Sequence, residues 1–440
     1  MSLPRYPDYK PCQMGLMLKV PSHWQVKPLK RISEIQTGLT PPSEVEENYS
    51  DDGFPWIRPE DINESGIFTT GSKFLSPQGL KIARIIKRGA SLICCIGTIG
   101  KVGITNCDIT TNQQITAVNF FGCSRFFYYA TVAARKDFEQ AATGNVLKIL
   151  NTQKLGEISY CVPPLDEQGL IAAFLDHETA KIDALIAEQE KLIALLAEKR
   201  QATISHAVTR GLNPDVPMKD SGVAWLGEVP AHWGVTRLKF VANVQTGIAK
   251  GKDTAGKETV TVPYLRVANV QDGYLALDDV TTIDIERDQL CRYRLSPGDV
   301  LMNEGGDFDK LGRGAIWQGE IVDCIHQNHV FAVRPYAIQP AWLNRITSSQ
   351  YAQFYFMGRS KQSTNLASIS STNIMELPVL MPPEGEQQAI HSFLDAEINR
   401  VDMLRTESER AINLLKERRS ALIAAAVTGQ IDVRGWTPNN

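Results

Sequence analysis

The run Gly97-Thr98-Ile99-Gly100-Lys101-Val102 is the stretch most like a catalytic element, because glycines beside a lysine can cradle a phosphate. It lacks the G-x-x-x-x-G-K-[ST] spacing and the hydroxyl that would hold a metal ion, and Gly247-Ile248-Ala249-Lys250-Gly251-Lys252-Asp253 fails the same test. Both read as turns between strands. His326 and His329 stand three apart, like half a metal site, but no companion Cys/His cluster completes it, and they read as hydrogen-bonded or solvated strand residues. Asn213-Pro214-Asp215-Val216 falls short of the N-P-P-[FYW] run of adenine methyltransferases. None of the many Asp and Glu pairs stands in a recognisable arrangement with a base or a metal ligand. The chain is expected to have no catalytic residue, no metal and no cofactor of its own.

The same residues suit binding better. Amides and guanidiniums beside glycine turns are what readout of base edges requires, Asn and Gln for adenine, Arg and Lys for guanine. In the first half the candidates are Thr37, Gly38, Arg58, Thr98, Gly100, Lys101, Asn112, Gln113 and Gln114. In the second they are Thr246, Gly247, Lys250, Lys252, Arg266, Asn303, Lys310, Arg313, Gln327, Asn328 and Lys361. The bland alternative makes each a solvated or turn residue. Trp24 and Trp233 read as packing anchors rather than base stackers.

Short β-rich runs punctuated by Gly, Pro and Asn would position these groups: Ser91–Ile96, Ile115–Phe121, Thr261–Val267, Asp299–Met302 and His329–Val333. Tyr128–Gln140 and Ala341–Phe356 read as helices. From Asp166 to Thr209 there is no proline, and Ile171, Leu175, Ile182, Leu185, Leu192 and Leu196 recur at alternating spacings of four and three. A second run, Ile390, Leu394, Val401, Leu404, Ala411 and Leu415, repeats the pattern. Each predicts a coiled-coil seam on a helix of about 65 Å. Asp166 would cap the first turn, and Gly211 and Gly429 stand where C-terminal caps belong.

The chain is one unit written twice. Val20-Pro21-Ser22-His23-Trp24 returns as Val229-Pro230-Ala231-His232-Trp233, and Gln36-Thr37-Gly38 as Gln245-Thr246-Gly247, 209 positions on. Pro163-Pro164, Glu167-Gln168, Phe174-Leu175-Asp176 and Ala207-Val208-Thr209 return 219 positions on. Between them, only fragments align. The expected division is a first head over 1–162, a first long helix over 163–211, a second head over 212–381, a second long helix over 382–430 and a tail over 431–440. The heads are α/β or α+β. Antiparallel pairing of the two helices would give a two-headed caliper with pseudo-twofold symmetry.

Composition limits the partners. Of 440 residues 43% are hydrophobic and 22% charged, as in soluble globular proteins, and the formal net charge is −3. Residues 1–150 hold 17 basic against 13 acidic side chains, and 212–365 hold 16 against 17, so phosphate neutralisation is modest or shared with partners. No long apolar run predicts a membrane span, the N-terminus does not read as a secretory leader, and eight scattered cysteines fit a reduced cytoplasmic setting.

These features together resemble the DNA-specificity subunits of type I restriction–modification enzymes. The resemblance rests on the tandem layout, on Val229-Pro230-Ala231-His232-Trp233 followed by Leu238-Lys239, and on Pro382-Pro383 followed by Glu386-Gln387-Gln388 and Ile390. It rests also on the closing run from Glu417 to Gln430, and on Gly100-Lys101-Val102-Gly103 followed by Asn112-Gln113-Gln114. It implies two target-recognition domains that read the halves of a bipartite, asymmetric DNA sequence. It implies helices that set the gap between the halves and dock two modification subunits, and through them restriction subunits. S-adenosylmethionine, ATP and Mg2+ would belong to those partners. The first copy lacks the Ser221-to-Gly227 element that precedes the second, which puts docking there in doubt. The alternative is a coiled-coil scaffold whose heads bind proteins; a nucleotide-dependent enzyme using the glycine loops is a more distant one.

Overall fold

The computed structural model describes residues 4–14, 17–65, 68–251, 256–306, 311–312, 314–362 and 367–437. Two compact units result: Met1–Lys191 with Ser408–Asn440, and Leu192–Glu407. The first long helix spans Leu165–Arg210 and the second Glu384–Val427, so each unit owns one head and a stretch of both helices. Among the described residues no helix is long and apolar enough to cross a membrane, and no disulfide forms.

In the first unit an antiparallel sheet runs in the order Ser33–Thr37, Ile115–Phe120, Ser91–Cys94, Val102–Ile104. A second sheet orders Thr110–Thr111, Phe54–Ile57, Lys73–Leu75 and Tyr49–Ser50, its first pair parallel. The second unit repeats the plan. Its antiparallel sheet is Ala242–Thr246, Val330–Pro335, Val300–Asn303, Gly314–Ile316, and Thr259–Leu265 lies between antiparallel Thr281–Glu286 and parallel Ile325–His326. The inner strands Ser91–Cys94 and Val300–Asn303 are buried at every position, so apolar character rather than residue identity is what the sheet requires, and the topology survives where the sequences no longer align. The hairpin Tyr9–Met14 with Met17–Pro21 also matches Met218–Asp220 with Glu228–Pro230, although its sequence lacks the Ser221-to-Gly227 element.

Each single helix expected in a head is two. Ser124–Ala133 breaks at Ala134 before Arg135–Ala141, and Pro340–Thr347 gives way to Gln350–Arg359, whose first turn is capped by the Ser349 hydroxyl. A capping serine competes with the helix for its backbone amides, so apolar spacing alone runs through the break.

The repeated residues hold head to helix. Glu167 lies 2.8 Å from His23 Nε2, and Glu386 lies 2.8 Å from His232 Nε2. The neighbouring glutamines donate their amides to the diproline carbonyls, Gln168 to Pro163 O at 2.9 Å and Gln387 to Pro382 O at 2.8 Å. Asp176 and Asp395 take Arg125 and Arg345 from the head helices. Trp24 and Trp233 are fully buried, and replacing either by Ala would cost about 3–5 kcal/mol. Gly211 and Gly429 end the helices at φ 74° and 71°, each against the tryptophan of its own unit.

Within the first unit the helix stretches run antiparallel. Arg419 binds Asp183 at 2.9 Å, while Trp436, beyond the end of one helix, meets Phe174 near the start of the other. The seam is only partly as expected. Ile171, Leu175, Ile182, Leu196, Ile390, Leu394 and Val401 are buried and Leu415 is half-buried, but Leu185, Leu192 and Leu404 are exposed. A straight helix of 3.6 residues per turn drifts about 20° per heptad from a 3.5-residue seam, so it cannot keep every such position inward. The tail is a second departure: Val433 is buried, and Trp436 packs at 5.5 Å from Phe174 and 5.3 Å from His177.

Candidate nucleic-acid interface

In each head several of the candidate residues lie where two sheets meet, while Lys361 belongs to a separate small sheet with Ala367–Ser368. Gly38 follows the strand Ser33–Thr37 and takes its amide to Ile115 O, while Leu39 N donates to Thr111 O at 2.9 Å and Asn112 N to Ile57 O at 3.1 Å. In the second head Ile248 N donates to His326 O at 3.0 Å and Gln327 N to Leu265 O at 2.8 Å. Asn112-Gln113-Gln114 and Gln327-Asn328-His329 are thus the same turn on the same framework. A Cβ on Gly38 would overlap the carbonyl oxygens of Thr111 and Asn112, and one on Gly247 those of His326 and Gln327. The repeated glycine is set by that close approach.

Arg58 and Arg266 also correspond. Each follows its central strand and starts a short 3-10 turn, and each is met by a carboxylate: Arg58 by Glu60 at 2.8 Å, Arg266 by Asp279 at 2.8 Å. Lys101 sends its ammonium to Pro59 O at 2.8 Å. Ile99 N donates to Gly97 O, Gly100 N to Cys94 O and Lys101 N to Thr98 O, so the Gly97–Val102 run is a strand-to-strand turn in which these three amides are spent internally.

Burial removes several candidates from contact with a ligand. Asn112 is 8% exposed, and its amide donates to Gln114 Oε1 while its own oxygen takes Gln114 N. Asn303 is 1% exposed and donates to Val270 O at 2.9 Å. Gly38 and Gly100 are buried as well. These four are held away from the surface: Asn112 satisfies its amide within its own chain, while Asn303 spends its Nδ2 on Val270 O and keeps an unpartnered Oδ1 buried. Thr98, Gln113, Thr246, Lys250 and Lys361 are exposed, and Thr37, Gln114, Gly247, Gln327 and Asn328 are half-buried. Lys252, Lys310 and Arg313 lie outside the described residues. His326 is fully buried with Nδ1 2.7 Å from Val330 O, and burial pushes its pKa below the ordinary value; His329 is exposed on Glu304 at 2.7 Å.

Residues 21–194 match the type I restriction modification DNA specificity domain. The chain is 23% identical to the type I restriction enzyme EcoKI specificity subunit of Escherichia coli (strain K12), over 96% of this chain and 92% of that one. It is also 23% identical to the MjaIX specificity subunit of Methanocaldococcus jannaschii, over 97% of each. The chain is thus similar to type I DNA-specificity subunits along nearly its whole length, with the domain match confined to its first half. Solved structures share its fold. A chain from a study of complex assembly and conformational transition in a type I R-M system superposes with a TM-score of 0.66 at 16% identity, covering 94% of this chain and all of that one. The HsdS subunit from Thermoanaerobacter tengcongensis gives 0.50 at 14% identity, covering 95% and 99%.

The first head also shows a feature that readout chemistry alone overlooks. The segment Lys81-Ile82-Ala83-Arg84-Ile85-Ile86-Lys87-Arg88 lies beside the Gln-Thr-Gly turn: Gln36 Nε2 donates to Ile85 O at 3.3 Å, and Arg84 Nη1 to Thr37 O at 3.1 Å. The repeated glutamine does the same in the second head, where Gln245 donates to Arg292 O. The signal was present in the sequence. No acidic residue occurs between Glu64 and Asp108, while Lys73, Lys81, Arg84, Lys87, Arg88 and Lys101 fall in that interval.

Proposed function

We propose that this specificity subunit binds double-stranded DNA through its two heads and reads a bipartite, asymmetric target, one half per head. The observation that carries this reading is the pair of equivalent turns, Asn112-Gln113-Gln114 and Gln327-Asn328-His329, which offer different side chains from one framework. A common scaffold with different polar groups at matching positions is what two different half-sites require. The long helices set the gap between the halves and dock two modification subunits, and through them restriction subunits. Exposed Leu185, Leu192, Leu195, Leu404 and Leu414 give those helices apolar surface for docking. S-adenosylmethionine, ATP and Mg2+ are assigned to the partners. That the amides of Ile99, Gly100 and Lys101 are already bonded supports that assignment, because a phosphate cradle needs free backbone amides.

The test is co-expression with a modification subunit, followed by single-molecule sequencing of genomic N6-methyladenine. Methylation confined to one split, asymmetric motif is expected, and exchanging one head should change one half only. Deleting matched heptads from both helices should change the gap and leave both halves as they were. A stable complex that methylates no motif would replace this reading with that of a scaffold whose heads bind proteins.

A further inference from the structure

Four of the 17 basic residues in 1–150 stand together on one anchored segment of the first head. Lys81, Arg84, Lys87 and Arg88 are all exposed, within eight residues. Lys87 pairs with Asp108 at 2.8 Å, and Arg84 spends one donor on the Thr37 carbonyl, which leaves its charge uncompensated. Lys81 forms no ion pair among the described residues, and Arg88 feels Asp108, whose carboxylate already holds Lys87, only through space. The segment is fixed in place. Ile86 is fully buried and exchanges both backbone hydrogen bonds with Ile109 at 2.8 and 2.9 Å, Arg88 N donates to Asp108 at 3.0 Å, and Gln36 holds Ile85. Ile82 and Ile85, each 45% exposed, stand outward between the cations. Arg84 holds Thr37, next to the Leu39 amide that donates to Thr111 O two residues before the exposed Gln113. An anchored, outward-facing row of cations so placed has the form of a backbone-contact element beside a base-contact element.

The corresponding segment of the second head differs in charge while keeping the anchor. Between Thr281 and Arg294, Arg287, Arg292 and Arg294 are matched by Asp284, Glu286 and Asp288. Arg287 is engaged by Glu258 at 2.7 Å and Arg294 by Asp323 at 3.2 Å. Two arginines that already hold carboxylates release few counterions on meeting a phosphate, so this head gains less from the DNA backbone.

We infer that Lys81, Arg84 and Arg88 form the phosphate grip of the chain, and that the first head supplies most of its sequence-independent hold on the duplex. This rests on the DNA-binding reading above. It assigns the two heads unequal tasks: the first anchors the complex on the backbone, and the second contributes chiefly through contacts to its half-site.

The experiment uses the full chain assembled with modification subunits and a fluorescent duplex of random sequence, with affinity measured across a salt series. Neutralising three phosphate contacts at about 0.9 each should lower the slope of log K against log salt by about 2.7 for the Lys81→Gln/Arg84→Gln/Arg88→Gln variant. The Lys81→Gln/Arg88→Gln variant leaves the Arg84–Thr37 contact intact and should lower it by about 1.8. Arg292→Gln/Arg294→Gln should change it by less than about 1. The methylated motif should stay the same in all three. An unchanged slope in the double variant, with the motif still methylated, overturns the grip and leaves the DNA-binding reading standing. Equal losses from the two heads overturn the division of tasks. A wild-type complex without duplex affinity overturns both.

Discussion

Glu386 Oε2 receives His232 Nε2 at 2.8 Å and the indole N–H of Trp233 at 3.0 Å, so one carboxylate at the start of a long helix holds both rings of the repeated His-Trp pair. Glu167 does half of this in the first unit, taking His23 at 2.8 Å and, in place of the indole, the hydroxyl of Tyr6. Replacing Glu386 by Ala would leave the buried Trp233 N–H without an acceptor. A loss of about 2 kcal/mol from the second unit is expected, with Glu386→Gln recovering part of it, read by urea denaturation followed through tryptophan fluorescence.

Gly38→Ala and Gly247→Ala test the close approach that joins the sheets. Neither position has room for a Cβ against its carbonyl neighbours, and a backbone shift costing on the order of 1–3 kcal/mol is expected. Hydrogen exchange should show it confined to the altered head, faster along Ser33–Thr37 for Gly38→Ala and along Ala242–Thr246 for Gly247→Ala. Equal changes in both heads would contradict a local cause.

His326 gives the second unit a pH dependence. Desolvation holds its folded-state pKa below the ordinary 6.5, so the unfolded chain binds more protons once the pH falls under that value. Its contribution to stability is complete above pH 6.5 and is lost as pH falls through the folded pKa. Comparing urea midpoints at pH 7.5 and pH 5.5, the wild type should lose more than His326→Gln. Parallel losses would remove the histidine as the cause.

Trp436→Ala tests the packed tail. The ring meets Phe174 edge-on at 5.5 Å, an aromatic pair worth about 0.5–1.5 kcal/mol beyond its buried area. The first unit should lose about 1–2 kcal/mol by urea denaturation, and the second should be unaffected. A stable Trp436→Ala protein with an unchanged first transition would make the tail dispensable.

The sequence by itself determined the duplication, the two long helices with their glycine ends, the buried tryptophans and the kinship to specificity subunits. These are written in residue identity and period, and both survive translation along the chain. It also carried, unread, the acid-free interval that marks the basic segment, because a charge cluster shows only when absences are counted along with presences. Only the tertiary structure decided that Asn112 and Asn303 turn inward while Gln113 faces out, and that Glu386 holds His232 and Trp233 while Glu167 holds His23 and Tyr6. It likewise placed Leu185, Leu192 and Leu404 outside the seam. The glutamate contacts depend on which donor finds an acceptor 144 and 154 residues away, the asparagines on which side of a turn is covered, and the leucines on how a real helix drifts from an ideal heptad. None of these is a property of any local window.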